Sequence, residues 1–343
     1  MSTFSELKNN HRLKEIYEKR LEILRLVREF FWSQNFVEAE TPIALRLPGQ
    51  EPYLNPMAVH FIDPYLKSHK FYLRTSPEYA LKKILSAGWQ KVFEISKCFR
   101  NVESFGGTHN PEFTMIEWYR APGSYLDIMD DTEKLFKYIG AKLNINFLIY
   151  KNKEINFLVN WDRISVKDLW QKYLNINLDD YLDVEKLKTL TQKRGWAVDE
   201  NDAYEDLFYK IFLNEIEPFL GVDKPVFIFD YPAQMCSLSK LCVNDLRYAE
   251  RFELYIGGLE LANAFGELTD PKAQRTNLQK DMDLRTQLQK EVWSIDEDFI
   301  SALESGIPPA GGIALGIDRM VVLFTGARDI NEVIFQSAND QIN

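Results

Sequence analysis

Two runs, residues 91–99 and 112–119, flank a loop carrying Gly106-Gly107 and constrain the fold more than any other feature of the chain. They read as the arms of one β-hairpin, and a sheet built on hairpins is mostly antiparallel. Residues two apart on a strand share a face, so Phe113, Met115, Glu117 and Tyr119 point the same way. A carboxylate and a phenol beside apolar residues on one face would be poor core design. Lined up over a pocket, they suit an ammonium group, as an acceptor pair with an aromatic wall. A lone strand-edge arginine most often makes a surface ion pair. Arg100, set with His109, Glu112, Phe113 and Glu117 on one hairpin, forms a more specific pattern. With a second arginine, Arg319, converging from a distant segment, it suits a polyphosphate bridged by a divalent metal.

The rest of the chain is organised around that hairpin. Leu13, Ile16, Tyr17, Leu21, Leu24, Val27 and Phe31 recur at helical spacing, which predicts an amphipathic helix over 11–35. An alternating stretch at 36–41 closes at Pro42, and 45–56 reads as a loop. Ser76-Pro77-Glu78 predicts a helix through Ala87, with Ser76 as N-cap and Pro77 at the first helical position. Residues 144–223 mix helices with polar turns and show no chemical constellation. Strands are expected at 226–231, 251–255 and 259–265, followed by helices at 271–288 and from 296. With no repeat, low-complexity tract or linker, the 343 residues are expected to form one α+β domain. Its sheet is expected to be mostly antiparallel and flanked by helices, with residues 1–10 a flexible leading segment.

Two further constellations carry chemistry. Glu253 and Glu260 flank Gly257-Gly258, so paired strands would bring both carboxylates together, which calls for a metal or cationic partner. The competing reading is two exposed glutamates on a solvated hairpin. Asn263 lies three residues beyond Glu260 and needs a bulge to share its face, and Glu267 extends the same arm. Gly311-Gly312-Ile313-Ala314-Leu315-Gly316 ends in Asp318-Arg319 and fits neither a P-loop nor a dinucleotide fingerprint. It would hold Arg319 at a helix N-terminus, where peptide dipoles also favour an anion.

The formal net charge of −10 excludes a global basic field for nucleic acid. Three cysteines fit no disulfide framework or zinc spacing. There is no 18-residue apolar run and no signal pattern, so a cytoplasmic location and no membrane association are expected.

Together, 36–42, 99–113 and 311–319 resemble the three motifs of the class II aminoacyl-tRNA synthetase catalytic domain. Residues 109–117, Glu250-Arg251-Phe252-Glu253 and 260–268 resemble its lysyl branch, and the likeness runs from about Arg12 to Phe335. The helix of the first motif begins almost at once, so no anticodon-binding domain is expected. Thr75-Ser76-Pro77-Glu78-Tyr79, Trp118-Tyr119-Arg120 and Ile313-Ala314-Leu315-Gly316 resemble the truncated paralogues of the lysyl enzymes. Ala314 stands where the synthetases usually have glycine.

The resemblance implies a homodimer that uses ATP and Mg2+ to adenylate lysine or (R)-β-lysine. The acyl group would then pass to a lysine of elongation factor P, with tRNA not expected as acceptor. By the same resemblance, Arg100 contacts the α-phosphate and the substrate carboxylate, and His109 and Arg319 hold the outer phosphates. Asn110 belongs to the same ATP site, and Phe113 stacks on adenine with Arg319 over the opposite face. Glu253 and Glu260 bind magnesium. Glu117, Tyr119 and Glu267 take the distal ammonium, Glu78 the proximal one and Asn263 the carboxylate, with Ser76 and Ala314 shaping the pocket. Val102 stands where the family has a glutamate, and a one-residue insertion would pass that role to Glu103.

Overall fold

In the computed structural model, which describes residues 4–342, a nine-stranded mixed sheet forms the centre of the molecule. The hairpin is there as Lys91–Phe99 and Glu112–Arg120. Next to it lies Gly311–Gly316, then Leu259–Gly266, Asp245–Ile256 and Val226–Pro232, all antiparallel. Parallel pairing is confined to the two edges, where Val37–Glu38 joins Lys91–Phe99 and Asp162–Ser165 joins Val226–Pro232. The glycine-rich strand is thus inserted between two hairpins, an arrangement that depends on contacts about 200 residues apart along the chain.

Strand alternation gives this sheet two different faces. On one, Ile116, Trp118, Ile313, Leu315, Ala262, Ala264, Phe252 and Leu254 form the core with helices His11–Ser33, Tyr125–Leu143 and Ile317–Thr325. Phe31 stacks on Phe93 at 5.0 Å and tilts against Trp118 at 5.0 Å. The other face is polar and carries the site.

Several boundaries differ from those expected. The long helix begins after Asn10, whose side chain accepts from the Leu13 amide. Its buried stripe runs through Ile23, Leu26 and Phe30, and leaves Leu21 half exposed, because the 3.6-residue period carries Leu21 off that face. A helix at Phe4–Asn9 occupies part of the segment expected to be flexible, whose residues 1–3 lie outside the described residues. The third helix starts at Glu78 with Pro77 as cap residue, although Ser76 Oγ still accepts from the Glu78 amide at 3.0 Å. Residues 144–223 supply a second apolar cluster, with Trp170, Phe208 and Phe212 fully buried, and also reach the site.

One buried ion pair ties the long helix to the hairpin and to the helix that follows the glycine-rich strand. Arg20 meets Asp318 at 2.5 Å and donates to Thr114 Oγ1 at 3.0 Å, while Asp318 accepts from the Thr114 amide at 2.7 Å. Removing one partner of such a pair strands the other charge in the interior. Arg20→Met is therefore expected to lower unfolding stability by about 3–5 kcal/mol, as read by denaturant titration. A loss below about 1 kcal/mol would mean that water reaches the pair.

Candidate active site

The register of the sheet assembles the site. Glu94, Glu117, Ala314, Asn263 and Glu253 form one row across five strands, and Tyr119, Gly312, Phe265 and Arg251 form the next. Leu261 is a bulge, since Glu260 pairs with Tyr255 and Ala262 with Leu254. This is the irregularity that lets Glu260 and Asn263 face one space. Over these rows opens a cavity of about 740 Å³. Ser76, Glu78, Arg100, Glu103, His109, Asn110, Phe113, Glu117, Tyr119, Glu260, Asn263, Ala314 and Arg319 line it, whereas Glu253 and Glu267 lie off its wall.

One end of the cavity is acidic. Glu117 accepts from Ser76 Oγ at 2.5 Å and from the Tyr119 hydroxyl at 2.9 Å. Burial, reinforced by the charge of Glu78, pushes its carboxyl up to about 8. Glu267 is buried with Oε1 taking no hydrogen bond, and burial lifts it to about 7 even though Lys82 opposes the shift. Its Oε1 adjoins Gly312 and the Tyr119 ring, which pack so closely that no side chain fits at position 312. Open acceptors in so dry a place suit ammonium donors.

The other end is cationic. Arg100 lies over the Phe113 ring at 5.0 Å, and its buried Nε has no partner. Arg319 donates to the carbonyls of Thr108 at 3.2 Å and Glu260 at 2.5 Å, and to His109 Nε2 at 3.0 Å. Burial and then the Arg319 charge lower the His109 pKa, and because a guanidinium only donates, Nε2 is the accepting nitrogen, which leaves Nδ1 facing Thr108 Oγ1. Val102 is exposed with φ +61°, and the loop turns Glu103 to the cavity beside His109. Asn110 uses its amide for structure, donating to the Glu112 carbonyl and accepting from the Ala338 amide.

The two expected metal ligands are not equivalent. Glu253 accepts from Tyr209, Tyr231, Tyr255 and Arg251, four donors for two oxygens, and is 2% exposed. Glu260 lines the cavity, among the described residues no donor takes its carboxylate, and burial and then Glu253 raise its pKa. Among the described residues no group of three metal-binding side chains is gathered. Mg2+ typically uses one or two carboxylates plus substrate phosphates, so Glu260 fits such a role and Glu253, saturated here, does not.

Sequence reasoning missed Lys82, paired with Glu78 and Glu267, although its i+4 spacing from Glu78 was visible. It also missed Arg251, which donates to Asn263 Oδ1 at 3.1 Å, and the tyrosines around Glu253, scattered over three segments. No helix among the described residues is long and apolar enough to cross a membrane.

Residues 2–339 match the family described as tRNA synthetases class II (D, K and N). An elongation factor P–(R)-β-lysine ligase of Hamiltonella defensa is 36% identical over 92% of this chain and 93% of its own length. Lysine–tRNA ligases of Mycoplasmoides gallisepticum and Mesomycoplasma hyopneumoniae strain J are 34% and 39% identical over 97% and 96% of the chain. The chain spans 66% of the length of each, just under two thirds.

Proposed function

The chain belongs to the class II tRNA synthetases (D, K and N), and we propose from that premise that it activates lysine or (R)-β-lysine with ATP. The acyl group then passes to a lysine side chain of elongation factor P. The observation that carries the activation step is one cavity with an arginine pair at one end and the carboxylates of Glu78 and Glu117 at the other, with Glu267 buried behind them on Lys82. The acceptor is taken from the β-lysine ligase relative, whose length the chain spans almost whole.

In the first step a carboxylate oxygen of the amino acid attacks the α-phosphorus, and the bond to pyrophosphate breaks. Arg100 and Arg319 align the triphosphate and neutralise its developing charge. Glu260 would hold Mg2+, which would supply neutralisation of phosphate charge. In the second step a neutral acceptor amine attacks the acyl carbonyl, an amide forms, AMP leaves and the amine proton is lost to solvent. By the resemblance of its motifs to the family, the enzyme would act as a homodimer in the cytoplasm.

The test is ATP–pyrophosphate exchange with lysine or β-lysine, followed by the mass of elongation factor P and by tRNA charging under the same conditions. Addition of one lysyl-type group to the protein, with little tRNA charging, supports the reading. The lysine–tRNA ligase relatives favour the converse result, which would replace the protein acceptor by tRNA. Chelation of divalent metal is expected to abolish exchange, and full activity in chelator would remove the metal from the reading.

Binding is also expected to depend on pH. In the free protein Glu117 titrates at about 8 and Glu267 at about 7, so below those values a bound ammonium must displace a proton. Lysine affinity should therefore rise between pH 6 and 8, about tenfold per pH unit for each carboxylate still protonated, and level off above. Calorimetry that finds the affinity flat across this range would mean that these carboxylates are not the ligands.

A further inference from the structure

We propose that Lys82 is a built-in counter-cation that sets the pocket's charge to match a substrate bearing two ammonium groups. The proposal deepens the diamine reading above and rests on it. Lys82 follows Glu78 by one helical turn, is 1% exposed and lies off the cavity wall. Its Nζ sits 2.6 Å from Glu78 Oε1 and 2.6 Å from Glu267 Oε2. It therefore cannot touch the substrate across those carboxylates, but it fixes both of them. Burial presses its ammonium toward neutrality, yet the charges of Glu267 and Glu78 outweigh this and raise its pKa.

With all groups ionised, Glu78, Glu117 and Glu267 count −3 and Lys82 counts +1, leaving −2. The other groups facing this end do not change the sum. Ser76 and Tyr119 are neutral donors, and Glu94, beside Glu117 in the row, is paired with Arg74 at 2.8 Å. Glu51, farther along the wall, is held toward its neutral form by burial and then by the charge of Glu78, with Arg100 and Arg285 opposing. Two ammonium groups neutralise −2 in full, whereas a monoamine leaves a carboxylate buried and unpaired. Without Lys82 the pocket would hold −3, and such a site takes up protons instead of staying charged.

The test is calorimetric binding of lysine and of a non-hydrolysable ATP analogue from pH 6 to 9, on the parent, Lys82→Met, Glu267→Gln and the double variant. Lys82→Met is expected to bind lysine at least tenfold more weakly, with its pH curve displaced to alkaline, and to bind nucleotide as the parent does. In Glu267→Gln the lysine cancels Glu78 and leaves −1. The double variant returns to −2 and should bind lysine at least fivefold more tightly than Glu267→Gln. A structural filler would not move the pH curve or produce that reversal. Parental affinity and pH curve in Lys82→Met, or a double variant no better than Glu267→Gln, would overturn the proposal. If Lys82→Met does not fold, the comparison of the other two variants decides. A parent that binds neither lysine nor β-lysine would sink the diamine reading and this proposal with it.

Discussion

Arg319→Ala is expected to lower lysine-dependent ATP–pyrophosphate exchange by roughly 10³-fold, in line with the loss of a cation aimed at transferring phosphates. Its guanidinium holds three groups at once, the Thr108 carbonyl, His109 Nε2 and the Glu260 carbonyl. Removing it takes a positive charge from the phosphate end and releases both the hairpin loop and the strand bearing Glu260. Arg319→Lys keeps the charge but lacks the planar fork, so it should recover only a small part of the rate. Folding stability should hardly change, because the buried tie to the long helix runs through Asp318. A loss below about tenfold would show that Arg100 alone supplies the cationic clamp.

Gly312→Ala is expected to weaken lysine binding by about 100-fold or more, equivalent to about 3 kcal/mol, while nucleotide affinity stays near parental. A Cβ at this position would lie 2.2 Å from the Tyr119 ring and 2.4 Å from Glu267 Oε1. Both neighbours are nearly fully buried and cannot retreat, since Tyr119 is tied to Glu117 and Glu267 to Lys82. The methyl would displace the groups that receive the substrate ammonium and leave the phosphate end untouched. If the variant binds lysine like the parent, Tyr119 and the Glu267 carboxylate behind it do not shape the ammonium end of the pocket.

The asymmetry between Glu253 and Glu260 shows how little spacing alone says about availability. Both sit beside one Gly-Gly turn, and the hairpin was legible from the sequence. Saturation of Glu253 comes from the phenols of Tyr209, Tyr231 and Tyr255, and Tyr209 lies in the 144–223 stretch where no chemistry was visible. Glu267 likewise falls on the expected arm, but it lies off the cavity wall, with Oε2 on Lys82 and Oε1 beside Gly312 and the Tyr119 ring.

From sequence alone, the chain determined which side chains share a face. A period of two on 112–119 and 3.6 on 11–33 fixes the direction of each side chain relative to its own backbone, so Glu117 with Tyr119 was readable. The tertiary structure alone decided what covers each face. Insertion of Gly311–Gly316 beside Glu112–Arg120 set Ala314 against Glu117 and Gly312 against Tyr119. The fold likewise buried Lys82 between two carboxylates and closed three phenols over Glu253. Such pairings join segments up to about 200 residues apart, and local periodicity carries no information about which distant segment arrives.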